Sequence, residues 1–283
     1  MQIYDTVAAM RHACRAVQRK HDEHHFLGLV PTMGALHAGH LSLVQRARRE
    51  CECVAATIFV NPLQFAPGED FERYPRDAEA DCLLLEAGGV DLLFLPSVEE
   101  MYPSGAKSTV DVADLSERLD GAYRPGHFRG VATVVAKLFH IVEPDAAYFG
   151  QKDAAQVAVL RQMIRDLNFG VKLIACEIVR DSDGLALSSR NQYLSAVERT
   201  EALALPRALT AMQTAIDSGQ REPEKVLQIG KDILQQEPGV ALEFLQAVDP
   251  ETLESVPSIV SGTLIAMAAK IGRTRLIDNL LTV

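Results

Sequence analysis

The chain contains no apolar run that approaches membrane-spanning length, and its opening residues, MQIYDTVAAMRHACRAVQRK, lack the apolar core of a secretion signal. No membrane partner is therefore expected. Cysteine is sparse and shows no pairing pattern. The five residues, Cys14, Cys51, Cys53, Cys82 and Cys176, are odd in number and form no C-x-x-C spacing. A disulfide framework and a cysteine zinc site are disfavoured, and a reducing, cytoplasmic setting is expected. Positive charge is also short, with 28 Lys and Arg against 38 Asp and Glu, a formal net charge of −10. Nucleic-acid binders usually carry a basic surface, so no nucleic-acid partner is expected. A local basic pocket for a small anion is still compatible with an acidic shell. What is present is 283 residues, 48% hydrophobic and 23% charged, enough for one large domain or two smaller ones around a sizeable core.

From the start to about residue 180, short β-rich runs alternate with helical patterns. FLGLV (26–30) reads as a buried strand stopping at Pro31, and LSLVQRARREC (41–51) as a helix. VAATIFVNP (54–62) reads as a strand ended by Asn-Pro, PRDAEADCLLLEAGG (75–89) as a helix closed by glycine, and VDLLFLP (90–96) as a third strand. GVATVVAKLFHIV (130–142) predicts a helix, AAYFG (146–150) a strand, DAAQVAVLRQMIRDLN (153–168) a helix capped by Asp153, and VKLIACEIV (171–179) a strand. The alternation predicts an α/β fold with a doubly wound, Rossmann-like parallel sheet. The character then changes. Residues 196–218 and 223–236 are helical patterns, VALEFLQAVD and GTLIAMAAKI are strand-like, and RLIDNLLTV closes the chain. A second, smaller α+β domain follows from this, with the division placed at 1–178 and 179–283.

Ligands of open parallel sheets bind beyond the carboxyl ends of the strands. Four polar clusters occupy such places: TMGALHAGH, NPLQF, GQKD and DGLALSSRN; a fifth, LDGAYRPGHFRG, precedes the helix at 130. They supply His37, His40, Asn61, Gln64, Arg124, His127, Lys152, Ser188, Ser189 and Arg190, a concentration of cations and neutral donors that points to a polyanionic ligand. Each cluster also has a plainer reading. Histidines spaced H-x-x-H are often surface or capping chemistry. Ala38 stands between these two and no acidic residue shares their turn, so the H-E-x-x-H zinc pattern is unmatched. Neither the P-loop nor the G-x-G-x-x-G fingerprint is present. A phosphate site suits the turn better, because a helix N-terminus offers free N–H groups and Gly34 and Gly39 would let a phosphate approach closely. SSRN alone reads equally well as a capped turn, and Lys152 as a surface lysine unless neighbouring loops converge on it. HDEHHF (21–26) reads as a solvated loop without chemistry.

In this order PTMGALHAGH, FVNPLQF, YPR, RPGHFRGV, FGQKD and DGLALSSRN resemble the pantothenate synthetase (pantoate–β-alanine ligase) family across roughly 26–195, and the part ending RLIDNL is similar to its small domain. The wider nucleotidyltransferase group carries a HIGH-type histidine motif and a KMSKS-type loop, in whose places HAGH and SSRN stand. The resemblance implies ATP-dependent ligation of pantoate and β-alanine through pantoyl adenylate, with Mg²⁺ and a homodimeric assembly. It implies that His37 and His40 hold phosphates, with His40 the candidate proton donor. Lys152, Ser188, Ser189 and Arg190 would stabilise the departing pyrophosphate. Met33, Gly34, Gly150, Asp153, Val179 and Leu187 complete the implied ATP site. Gln64, Gln156, Asn61 and Arg124 form the implied site for pantoate and β-alanine. No metal ligand is identified. The chain departs from the family pattern at Ala38 and Gln151, where acidic residues are frequent, at Asp120 in place of Glu, and at Ala155 in place of Gln. A plain nucleotidyltransferase acting on another small acceptor, and a non-catalytic nucleotide sensor, are the competing readings.

Overall fold

The computed structural model describes residues 1–19 and 26–283; the HDEHH stretch at 21–25 lies outside the described residues. β1 (Gln2–Tyr4) and α1 (Val7–Arg19) open the chain, two elements that the residue pattern did not announce. The expected alternation follows: β2 (Leu27–Thr32), α2 (Ala38–Glu50), β3 (Cys53–Ile58), α3 (Ala78–Ala87) and β4 (Leu92–Phe94). After the short α4 (Val98–Met101) and α5 (Asp120–Tyr123) come α6 (His127–Val142), β5 (Ala146–Gly150), α7 (Ala154–Asp166) and β6 (Lys172–Cys176). The six strands form one parallel sheet in the order β1-β4-β3-β2-β5-β6. Leu27 and Leu29 face a core shared with α1, α6 and α7, while Val30 faces the core of α2 and α3. Helices on both faces explain the unbroken apolar strands, and the doubly wound α/β expectation holds.

Two local expectations need correction. β2 does not stop at Pro31 but runs to Thr32. The carbonyl of Leu27 accepts from Asp145, so odd-numbered residues of β2 present their polar groups toward β5, whose pairing with β2 ends at Leu29. The N–H that Pro31 lacks would have had no partner on that side. Asp153 stands at the N-cap position of α7 but its side chain makes no capping bond; the helix is entered through a 3₁₀ turn, Gln151–Asp153.

The chain from Ala196 on forms α8 (Ala196–Ala202), α9 (Ala204–Asp217) and α10 (Pro223–Leu234), then an antiparallel sheet of β7 (Val240–Val248), β8 (Leu264–Ile271) and β9 (Thr274–Leu281). Its third strand is the RLIDNLLTV tail. Alternate residues of β8 serve two cores: Ile265, Met267 and Ala269 pack with α9 and α10, whereas Leu264, Ala266 and Ala268 join the core of the large sheet. Burial on both faces is why GTLIAMAAKI reads as continuously apolar. Among the described residues, no helix is long and apolar enough to cross a membrane.

β3 and β4 step away from β2 on one side and β5 and β6 on the other, so the winding reverses between β2 and β5. Such a switch point leaves a crevice at the carboxyl ends of the two strands. One wall of it is the start of α6. A Cβ on Gly130 would lie 2.2 Å from the carbonyl oxygen of Leu63, so helix and 62–64 turn meet backbone to backbone. Gly130→Ala must push them apart, and a loss of about 1–3 kcal/mol in urea unfolding is expected. An unchanged unfolding midpoint would show that the close approach is not required.

Candidate active site

His37 is the N-cap of α2. Its Nδ1 accepts from the N–H of Gly39 at 3.1 Å, and the Nδ1 of His40 accepts from the N–H of His37 at 3.3 Å, a reciprocal capping box. The two rings lie 4.1 Å apart, tilted by 43°. With each Nδ1 accepting, the proton of each neutral ring sits on Nε2. The histidines thus combine the two readings the sequence left apart: both cap the helix, and both keep an Nε2–H for a ligand. Burial, then the Lys152 ammonium, lowers the pKa of His37 to about 4; burial, then His37 and Lys152, lowers that of His40 to about 3. Both rings are uncharged at neutral pH.

Gly34 does something other than admit a phosphate. Its φ of +82° turns the chain, and a Cβ there would meet the carboxylate of Asp81 at 2.8 Å, so it does not open onto the cavity. Asp81, buried on α3, accepts from the N–H groups of Ala35 and Leu36, both at 2.8 Å, and so braces the turn that delivers His37. Asp81 is not among the residues expected from the sequence. The available signal was an acidic residue four positions before Leu85, on the buried face of α3. Gly39 does face the cavity, where a Cβ would press on the His37 ring at 2.9 Å.

Asn61 caps the 3₁₀ turn Pro62–Gln64. Its amide nitrogen donates to Gln64 Oε1 and to the Gly130 carbonyl, both at 3.0 Å, while its oxygen accepts from Leu63 N–H and from the Tyr102 hydroxyl at 2.8 Å. Two donors and two lone pairs are thereby all used. The bond to Oε1 orients the Gln64 amide so that its nitrogen lies 3.0 Å from Met33 Sδ.

The cations are differently engaged. Arg190 forks onto Asp70 at 2.8 and 2.9 Å. Arg124 forks onto Glu69, with both bonds at 2.7 Å, and also reaches His127 and the Gln64 carbonyl. Burial opposes ionisation of Asp70 and Glu69, but their guanidinium partners win and hold both carboxyls below their usual range. Among the described residues, Lys152 has no ion-pair or hydrogen-bond partner for its side chain. His127 donates from Nδ1 to the Gln64 carbonyl at 2.8 Å, and burial followed by Arg124 lowers its pKa to about 4. Ser189 meets Tyr74, 3.3 Å away, and the Ser188 hydroxyl oxygen accepts from the N–H of Arg190.

These groups surround one cavity. Of the residues expected from the sequence, Met33, His37, His40, Asn61, Gln64, Arg124, Gly150, Lys152, Asp153, Gln156, Val179, Leu187, Ser188, Ser189 and Arg190 all line it; Gly34 does not. The HAGH turn and the segment leading into SSRN meet directly, for a Cβ on Gly39 would lie 3.8 Å from that of Leu187. Val131, Val134, Val135 and Leu138 of α6 supply an apolar wall, with Tyr74 of the YPR segment and Glu177 as further lining residues to which the sequence assigned no role. The cavity measures 220 Å³ and adjoins a second space of 730 Å³, with Lys152 and Arg190 among the residues lining both. The first space alone is small for a nucleotide plus an acid, whereas ligand sites of about 300–1,000 Å³ are usual and the two spaces together reach that scale.

The three depressed histidines set a pH dependence. An unfolded imidazole binds its proton below its ordinary pKa of 6.5, while folded His37, His40 and His127 resist it down to about 4, about 3 and about 4. The unfolded state therefore holds more protons in that window, and stability falls as pH falls from 6.5. Urea unfolding at pH 7.0, 6.0 and 5.0 should show a descending midpoint, above the range where carboxylates titrate. A midpoint that rises or stays level would contradict neutral, buried rings.

Comparison with known proteins agrees with this geometry. The model of the family described as pantoate-beta-alanine ligase matches residues 2–281. The pantothenate synthetase of Acidobacterium capsulatum is 55% identical over 289 residues, covering 99% of this chain and 97% of that protein. The crystal structure of pantothenate synthetase from Thermus thermophilus superimposes with a TM-score of 0.93 at 49% identity, covering 99% of both chains. That of the Francisella tularensis pantoate-beta-alanine ligase, complexed with beta-gamma ATP and beta-alanine, has a TM-score of 0.80 at 32% identity, covering 99% of this chain and 97% of that one. A match spanning the fold and nearly every residue leaves one assignment: the chain belongs to the pantoate–β-alanine ligase family.

Proposed function

We propose that this chain joins pantoate to β-alanine at the expense of ATP, and that the cavity at the β2/β5 switch point carries both steps. In the first, a carboxylate oxygen of pantoate attacks the α-phosphorus, the bond to the β-phosphate breaks, and pyrophosphate leaves pantoyl adenylate behind. In the second, the amine of β-alanine attacks the activated acyl carbon and AMP departs, giving pantothenate. The observation that carries the reading is convergence. Two neutral Nε2–H donors, a lysine without a side-chain partner among the described residues and a serine loop, all from separate elements, face one crevice beside an apolar wall.

Charge builds up on the α-phosphoryl oxygens and the leaving pyrophosphate, and fixed donors there lower the barrier without reorganising. His37 and His40 fill that role on the phosphates, with His40 donating from Nε2, and Lys152, Ser188 and Ser189 attend the departing group. Arg190 spends two of its five N–H groups on Asp70 and offers the remainder. Met33, Gly150, Asp153 and Leu187 border the nucleotide, and the backbone at Val179 meets the adenine edge. Gln64 and Gln156 match pantoate, whose hydroxyls and carboxylate need a partner that both donates and accepts. The α6 wall suits its two methyl groups. Asn61, saturated by protein, serves pantoate through the orientation it imposes on Gln64. Arg124, nearly all committed, lends charge. Residues 1–178 form the nucleotide- and pantoate-binding part, and 179–283 the part that brings SSRN.

Mg²⁺ would be carried by the triphosphate. Among the described residues no group of three ligating side chains could hold a metal alone, but phosphate-borne Mg²⁺ needs only one or two carboxylates, and Asp153 lines the cavity. Bound there, the ion would neutralise charge on the leaving pyrophosphate. A cytoplasmic homodimer is the proposed setting.

With ATP, Mg²⁺, pantoate and β-alanine, the protein should form equimolar AMP, pyrophosphate and pantothenate. Release of ADP and phosphate instead would rule out acyl adenylation, and accumulation of a stable nucleotidylated acceptor would favour a plain nucleotidyltransferase. His40→Ala and Lys152→Ala should each slow pyrophosphate release by about 10²–10³-fold. Gln156→Ala should raise the KM for pantoate well beyond that for ATP. Wild-type kinetics in any of these would remove that residue from its role.

A further inference from the structure

The Lys152 turn and the SSRN hairpin belong to different parts of the chain, yet both are tied to consecutive residues of β9. Asn279, 2% exposed, donates from its side-chain nitrogen to the carbonyls of Gln151 at 3.0 Å and Lys152 at 2.9 Å. Two carbonyl acceptors define which end of that amide is nitrogen. Asp278, also 2% exposed, forks onto Arg180 at 2.7 and 2.9 Å and accepts from the N–H of Asn279 at 2.8 Å.

Arg180 stands at the root of the second loop. It pairs with Ala186 in an isolated antiparallel bridge and donates to the Gly184 carbonyl at 3.0 Å. Leu187 N–H donates to the Val179 carbonyl at 2.9 Å, which closes the 179–187 hairpin, and Ser188 follows at once. Arg199 grips the far end through Asp181 and Asp183. Neither Asp278 nor Asn279 lines the cavity. They lie behind it.

We infer that Asp278 and Asn279 are positioning residues for the phosphate end of the site, a clamp by which one strand of the small sheet sets the spacing between Lys152 and Ser188–Arg190. A rigid strand suits this purpose. Adjacent Cα atoms are held about 3.8 Å apart by covalent geometry, so one loop cannot shift without the other. The inference rests on the ligase reading, because it presumes that Lys152 and SSRN act on one triphosphate. It goes beyond that reading in assigning a role to side chains that touch no substrate.

The clamp has a kinetic signature. Misplacement of a catalytic group by about 1 Å can cost about 10²-fold, so loosening either tie should act on the phosphate end first. Asn279→Leu, close in size but without donors, should lower kcat for pyrophosphate release by about 10–100-fold and raise the KM for ATP. The KM for pantoate should rise less than that for ATP, because Gln64 lies on the 62–64 turn, which the clamp does not hold, whereas Gln156 follows the clamped turn by one turn of α7. Arg180→Lys keeps a positive charge beside buried Asp278 but loses the fork, so it preserves the fold while loosening the hairpin. It should show the same split with a smaller drop in kcat, and it decides the matter if Asn279→Leu does not fold. Wild-type kcat and ATP KM in Arg180→Lys would overturn the clamp, as would parallel rises in both KM values. A wild-type protein that forms no AMP from ATP, pantoate and β-alanine would instead overturn the ligase reading.

Discussion

The geometry of the site depends on how two imidazole rings spend their Nδ1 atoms. Each accepts a backbone N–H at the start of α2, so the helix terminus and the ligand-facing donors are one construction. Neutral rings are essential to it. A protonated Nδ1 could not accept, and two imidazolium ions with centroids 4.1 Å apart, beside Lys152, would repel one another in a partly desolvated crevice. Keeping the rings neutral lets the cavity exist without ligand and leaves Nε2–H groups already aimed. Donors fixed before the charge develops need little reorganisation when it does.

The remaining charge is managed by pairing. Collecting Arg124, Arg190 and Lys152 in one crevice carries a cost of mutual repulsion. Glu69 and Asp70 meet it from a single loop, each with a bidentate carboxylate. Asp81 and Asn61 act similarly on polar rather than charged groups, one holding the backbone before His37 and the other the amide of Gln64. Asp81, Glu69 and Asp70 thus hold groups at the crevice without lining that cavity themselves, whereas Lys152 has no side-chain partner among the described residues.

This division explains what could be read from the sequence. Strands and helices of the large sheet were legible because both faces are buried, which leaves apolar runs that composition reveals. The cavity-lining positions were legible because parallel winding gathers the βα loops at one edge of the sheet. Donors that follow different strands become neighbours through the winding alone. The supporting partners were not legible. Asp81 reaches Gly34 and its loop from more than forty residues away, and Asp70 reaches Arg190 across 120 positions. Nothing local marks such a pairing. Gly34 was misread for the same reason, since what its missing Cβ makes room for is a distant carboxylate. Pro31 looked like a strand end because its side of the ladder could be known only from where β5 stops. β1 and the tail strand β9 were passed over because short or terminal segments carry little periodicity.

The sequence divides near residue 178, but the hydrophobic core does not divide there. Leu264, Ala266 and Ala268 alternate along β8 with Ile265, Met267 and Ala269, and the two sets belong to different cores. The small sheet is therefore a shared wall rather than the floor of a separate body. Separating it from the large sheet would expose one complete apolar face, at about 25 cal/mol for each Å² uncovered. A strand embedded in such a wall has little freedom to drift, and loops bonded to it inherit that restraint. The small part of the chain, which carries SSRN and reaches back to the Lys152 turn, holds both loops in place because the sheet they are bonded to is packed between two cores.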